Sequence, residues 1–423
     1  MTPEIKQRIE QIRRGEVPEG YKQAGQNIVP NTWNRLSFEQ VAIVRSGLVS
    51  PKTEPYSSML HIGPENIEKD TGKIENVRSA SELGLISGKF YFDSSSIVYS
   101  KIRPNLNKVC VPDFEGICSA DCYSIKARDN VDKNYLFALL LSHQFYKRAV
   151  ECSMRTGMPK INQDDLNAIC LVFPDNLEEQ RKIAAILTTQ DKVIKLKGKH
   201  LAEKQRQKKY LMQQLLTGKK RLPGFSGEWK NIKLCEVLSE RKEKNVEQNS
   251  RICSVAVQKG VVDQVEHLGR SYAANDTSNY SVAHYGDIIY TKSPTGDFLY
   301  GIVKQNLLQE TVAVSPLYGV FTPMTFGLGY FLHTYFQSAI CARNYLLPIV
   351  QKGAKNTINI TNDTFISSKL YLPLDVEEQK AIADTFIAAD REIDLLQQDI
   401  EQEKQKKKAL MQLLLTGIVR VKI

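Results

Sequence analysis

The sequence predicts an α+β protein: two α/β globular domains separated by two long antiparallel helices, arranged as an internal pseudo-twofold repeat. Three observations carry this. A block of 45 residues occurs twice without a gap, Pro174 to Gly218 and Pro373 to Gly417, with 18 identical positions at an offset of 199. Both blocks space their apolar residues by heptads, the pattern of helix packed on helix. The stretches between them are rich in short β-type runs with Gly, Asp, Ser or Pro nearby. A length of 423 residues asks for two or three domains, and 42% hydrophobic with 25% charged residues exclude a disordered or fibrous chain.

Five segments follow in chain order. Residues 1–30 complete the repeat cyclically: IEQIRRGEVPEGY from Ile9 matches MQQLLTGKKRLPGF from Met212, so the N-terminus is expected where the second helical block ends. Residues 31–173 form the first globular domain, opening at Trp33, with strands in SSSIVYSKI, VCVP and CYSIKA and one amphipathic helix near 134–150. Residues 174–218 are the first helical spacer. Ile183, Leu187, Ile194, Leu201, Leu211 and Leu215 fill its core positions, interrupted by Gln190, Lys197, Lys204 and Lys208. Residues 219–372 hold a lead-in, RLPGF, and the second globular domain, opening at Trp229, with strands in YGDIIYTKS, AVSPLYGVF and SKLYLP and one helix near 329–345. Residues 373–423 are the second spacer and the C-terminus, with Ile382, Phe386, Ile393, Leu396, Ile400, Leu410 and Leu414 in the core stripe beside Ala389, Glu403 and Lys407.

Gly218 and Gly417 follow the last periodic turn as helix caps. Asp191 and Asp390 mark either a kink or a new N-cap. A helix of about 40 residues is about 60 Å long. The first spacer leads from the first domain to the second and the second must return, which makes the pair antiparallel.

Charge and missing chemistry bound the function. A net charge of +10 and a pI near 9.0 fit a polyanion partner. Lys192 to Arg221 carries eleven Lys/Arg against one acid, whereas the equivalent Arg391 to Arg420 carries six against five. Such a run is a solvated face, a phosphate contact or a dock for an acidic partner. No nucleotide-cradling glycine motif follows a strand, no [DNS]-Pro-Pro-[FYW] methyltransferase motif occurs, and no nuclease-type Pro-Asp has its ExK. Cys118 and Cys122 have no second ligand pair, so no metal is expected. The six His pair with no Glu at helical spacing. No apolar run approaches a membrane span, and the charged start MTPEIKQRIEQIRRGE with eight Cys predicts reduced thiols in a cytoplasm. The chain reads as a binding protein and not an enzyme.

Two differing globular domains alternating with near-repeated helices bearing P-x-x-x-E-E-Q and LMxxLLTG resemble the specificity subunit of type I restriction–modification systems. The resemblance covers nearly the whole chain. It departs at the first lead-in, where Val17 to Tyr21 is followed by a longer spacer before Trp33. It implies that each globular unit is a target recognition domain for one half of a bipartite, asymmetric double-stranded DNA sequence. It also implies that the helices set the spacing and dock two modification (methyltransferase) subunits, which restriction subunits join. S-adenosylmethionine, ATP and Mg then belong to those partners, and this chain holds no cofactor.

Base readout needs polar side chains on exposed loops. Lys101, Arg103, Asn105 and Lys108 follow one strand, and Thr291, Lys292, Ser293 and Thr295 hold the equivalent place. Arg155, Thr156 and Lys160, matched by Lys352, Lys355 and Asn356, flank a second loop. Two other readings compete: a helical scaffold binding partner proteins without sequence readout, and an enzyme with an unrecognised site.

Overall fold

A computed structural model describes residues 2–153, 159–270, 275–352 and 358–423. The chain divides into two compact units, residues 1–198 with 399–423, and residues 199–398. The division falls inside both long helices, Leu177–Leu215 and Val376–Leu414, each 39 residues. Each unit is therefore closed by segments remote in sequence.

In the first unit an antiparallel sheet runs in the order Val109–Cys110, Ser96–Ser100, Cys122–Ala127, Ala42–Val44. Its strand Ser96–Ser100 is buried throughout, which is why SIVYS is apolar or small along its length. A second sheet has the order Leu48–Val49, Lys89–Phe92, Gly116–Cys118, Leu60–Ile62, Arg78–Ser79. It is antiparallel except where Gly116–Cys118 lies beside Leu60–Ile62. Trp33, Phe38, Tyr99, Tyr135, Phe145 and Phe173 build the main core, and Leu414, which ends the second helix, and Leu415 just beyond it complete it. The ladder Trp33–Ser37 with Cys170–Pro174 joins the start of the domain to its end.

The second unit repeats this topology. One sheet runs Val303–Gln305, Ile288–Tyr290, Gly319–Pro323, Leu238–Glu240; the other runs Gly260–Asp263, Arg251–Ala256, Val312–Val314, Ser281–Ala283, with Arg251–Ala256 parallel to Val312–Val314. Strand for strand the order matches the first unit, less the edge strand Leu48–Val49. The ladder Lys230–Lys233 with Lys369–Leu372 takes the closing place. Tyr290 and Phe365 stack at 4.4 Å in a core that takes Leu215, which ends the first helix, and Leu216 just beyond it.

The structure departs from three sequence expectations. The helix near 134–150 is two helices, Lys133–Leu141 and His143–Ser153, and that near 329–345 is Phe326–Tyr335 and Ala339–Leu346. Serine makes both breaks. Ser142 is extended and its hydroxyl accepts from Phe145 N, while the Ser338 hydroxyl accepts from Cys341 N. AVSPLYGVF is two strands in different sheets, turning where Tyr318 N donates to Ser315 O. Asp191 and Asp390 cap nothing: each sits inside an uninterrupted helix and pairs with a lysine.

In the first unit Gln190 Nε2 donates to Glu403 at 2.6 Å, Lys197 reaches Asp399 and Glu403 at 2.8 Å each, and Lys407 pairs with Asp191 at 2.6 Å. In the second, Lys204 pairs with Glu392 at 2.7 Å and Lys208 with Asp390. As residue numbers rise on the first helix they fall on the second, so the helices are antiparallel in both units. Ile183, Leu187, Leu215, Ile382, Phe386 and Leu414 are buried, whereas Ile194, Leu201, Leu211, Ile393, Leu396, Ile400 and Leu410 are half-buried. Gly218 (φ +69) and Gly417 (φ +73) end the helices in the left-handed region.

Candidate nucleic-acid interface

The loop after the central strand Ser96–Ser100 is held by backbone bonds to residues 159–161. Arg103 N donates to Pro159 O at 2.7 Å, and Ile161 N donates to Lys101 O at 2.9 Å. These bonds gather Lys101, Arg103, Asn105 and Lys160 at one edge of the first domain. Arg103 (φ +48) and Asn107 (φ +45) are both left-handed without being glycine. Asn107 holds the bend from inside, donating to Asp70 Oδ1 at 3.1 Å and Leu141 O at 3.3 Å. Backbone strain of this kind persists only where the surroundings over-determine it. It leaves Arg103, Asn105 and Lys160 exposed. The Lys101 ammonium lies 5.3 Å from the Tyr123 ring centre, and burial, with Lys160 nearby, pushes its pKa below the ordinary lysine value. Two neighbouring ammonium groups make this edge receptive to an anion. Lys108 differs: its Nζ donates to Pro64 O at 2.6 Å, tying the charge to the domain body. Arg155 and Thr156 lie outside the described residues.

The equivalent loop of the second domain follows Ile288–Tyr290. Thr291 is only 3% exposed, and its hydroxyl accepts from Ile302 N at 3.0 Å, so it shapes the loop from within and is not an outward reader. Lys292 (φ +59) is half-buried; burial lowers its pKa and Glu240 partly offsets this. Gly301 (φ +102) makes room for the bend, since a Cβ there would stand 2.8 Å from Lys292 N. Ser293 and Thr295 are exposed on a tight turn, where Thr295 and Phe298 exchange backbone bonds at 3.0 Å. Lys352 ends the short strand Gln351–Lys352, while Lys355 and Asn356 lie outside the described residues. Tyr99 and Tyr290 are core residues.

Sequence reasoning missed the joints between each domain and its helix. The second Glu of each EEQ is buried. Glu179 takes two bonds of 2.7 Å from Arg420, and Glu378 takes two from Arg221 and one of 3.0 Å from Trp229 Nε1. Gln180 donates to Pro174 O and accepts from Asp132 N, the cap of helix Lys133–Leu141. Gln379 donates to Pro373 O and accepts from the Thr325 hydroxyl, the cap of helix Phe326–Tyr335. The signal was present: Arg221 and Arg420 also stand 199 apart, three residues beyond the aligned blocks.

The basic run of the first helix serves two purposes. Lys192, Lys195 and Lys199 are exposed, whereas Lys197, Lys204 and Lys208 turn inward to acids of the second helix. Among the described residues no cluster of His, Cys, Asp or Glu could hold a metal ion, and no helix is long and apolar enough to cross a membrane.

The family model described as the type I restriction modification DNA specificity domain matches residues 65–205 and 227–405. The specificity subunit of the Escherichia coli type I restriction enzyme EcoDI is 38% identical over 181 residues, covering 43% of this chain and 38% of that relative's length. The MjaVIII specificity subunit of Methanocaldococcus jannaschii is 26% identical over 338 residues, covering 73% of this chain and 75% of the relative. The solved HsdS subunit of Thermoanaerobacter tengcongensis shares the fold, with a TM-score of 0.51 at 19% identity over 94% of this chain and 100% of its own.

Proposed function

Because the chain belongs to the type I restriction–modification DNA specificity family, we propose that each globular domain reads one half of a bipartite, asymmetric DNA target while the long helices set the spacing and dock two modification subunits. The observation that carries this reading is the double family match, once over each globular domain and its helix. The two domains share one strand order but differ in the loops they present, which suits two unlike half-sites. Half-sites on one face of B-DNA lie about 34 Å apart or a multiple of that. The role is specificity and not catalysis, as for the specificity subunits it resembles. S-adenosylmethionine, ATP and Mg enter with the modification and restriction subunits, and the assembly works in the cytoplasm.

The test is adenine methylation by the chain with its modification subunits on a randomised DNA library. The expected product is one bipartite sequence with a fixed spacer, and none from the chain alone. Methylation without sequence preference would overturn sequence readout in favour of a scaffold.

A further inference from the structure

Some rungs of the helix pair are repeated and others are not. Asp191–Lys407 in the first unit and Lys208–Asp390 in the second are one rung seen twice, because Asp191 corresponds to Asp390 and Lys208 to Lys407 at the offset of 199. Glu179–Arg420 and Glu378–Arg221 are likewise one rung. Such rungs would form equally well if either helix met a second copy of itself in the same register.

The inner positions behave differently. Lys197 meets Asp399 and Glu403 in the first unit, and Lys204 meets Glu392 in the second. Their repeat counterparts are not complementary: Lys197 corresponds to Leu396, Lys204 to Glu403 and Val193 to Glu392. Two first helices in this register would set Lys197 against Lys204. Two second helices would set Glu403 against Glu392. The Glu403 carboxyl takes bonds from Lys197 and Gln190, which hold its pKa down to about 2, so in the native pair it is charged and committed.

We propose that residues 193, 197 and 204, with 392, 396 and 403, form a charge code that lets the first helix pair with the second and rejects pairing of either with a second copy of itself. Like charges facing each other supply the rejection, at positions half-buried for Lys197, Lys204 and Glu403 and exposed for Glu392. The consequence, one particle carrying two unlike recognition domains, rests on the function proposed above; the pairing rule itself does not.

The experiment exchanges the code in the full chain and measures melting temperature and solution mass without DNA. In the one-sided exchange, Val193→Glu, Lys197→Leu and Lys204→Glu give both helices the second helix's inner residues. Its melting temperature should fall by roughly 4–8 °C, or its solution mass should depart from the parent's. The reciprocal exchange adds Glu392→Val, Leu396→Lys and Glu403→Lys, which moves the inner charges to the rungs related by the offset of 199, position 204 with 396 and position 193 with 403, and sets one acid against one lysine at each. It should recover the parent's mass and melt within about 2 °C of it. A one-sided variant that melts like the parent overturns the code, as does a reciprocal variant no better than the one-sided one. If the one-sided variant is insoluble, the reciprocal variant still decides. Failure of DNA readout would leave both measurements unchanged, so the two readings fail separately.

Discussion

Lys304 sits in a strand where nothing in the local sequence marks it, yet it is 4% exposed and faces Lys208 and Asp390. Burial, reinforced by Lys208, lowers its pKa from 10.5 to about 8. A folded pKa below the unfolded one means the native state carries a penalty below pH 8, relieved as pH rises towards 10.5. Lys304→Met should therefore stabilise the protein at pH 7 by about 1–3 kcal/mol, and urea melts at pH 7 and 10 should show that gain shrinking at the higher pH. Arg103 and Lys292 make the contrasting case. Their loops were legible as polar stretches after matched strands, but the left-handed backbone that aims them was not, because φ leaves no mark on an Arg or a Lys. Arg103→Ala should weaken DNA binding by the assembled complex. A phosphate contact would act equally on all sequences and flatten the salt dependence by about one unit of log–log slope, whereas a base contact would cost roughly 1–3 kcal/mol at one target position. Unchanged affinity and specificity in both Arg103→Ala and Lys292→Ala would turn these loops away from DNA.

The helices show how far heptads go and where they stop. Apolar period and the capping glycines placed both long helices, because a buried stripe must recur at helical spacing whatever it packs against. The same pattern treated Lys197, Lys204, Lys208 and Glu403 as interruptions. A heptad records position and not partner, and these charges become intelligible only when the facing residue is known. The shorter helices failed for a local reason, one serine hydroxyl satisfying a backbone N–H and starting a new helix. The capping glycines make a paired test. A Cβ on Gly417 would lie 2.5 Å from Pro30 Cδ, whereas one on Gly218 would lie 3.1 Å from the Tyr371 ring. Both positions carry the left-handed penalty of about 1–2 kcal/mol for a side chain, but only Gly417 also presses on a ring fixed by its own backbone. Gly417→Ala should lower the melting temperature more than Gly218→Ala. Equal losses would mean the Pro30 segment yields freely.

At the scale of the whole chain, the repeat was legible because it is written in identities, while the strand order within each domain was not, because short strands of similar composition do not announce their neighbours. The two orders prove to be the same, so the duplication extends beyond the helices into both globular domains. Each domain keeps its own core. Among the described residues, the aromatic cluster of Trp229, Tyr290, Phe321, Phe331 and Phe365 takes none from 31–173, and that of Trp33, Tyr99, Tyr135 and Phe173 takes none from 219–372. A replacement confined to residues 31–173 therefore leaves the second core, the Glu378–Arg221 joint and every inner rung of the helices intact. It must preserve a cap at the Asp132 position to receive Gln180, and it must bring its own closing ladder in place of Trp33–Ser37 with Cys170–Pro174. With those kept, exchanging residues 31–173 for the matching domain of a relative should change one half-site of the methylated sequence and leave the other half-site and the spacer as they were. Sequencing methylated adenines from a randomised library reads all three at once. If both half-sites change together in a folded, active exchange, the domains do not read independently, and the shared strand order reflects ancestry alone.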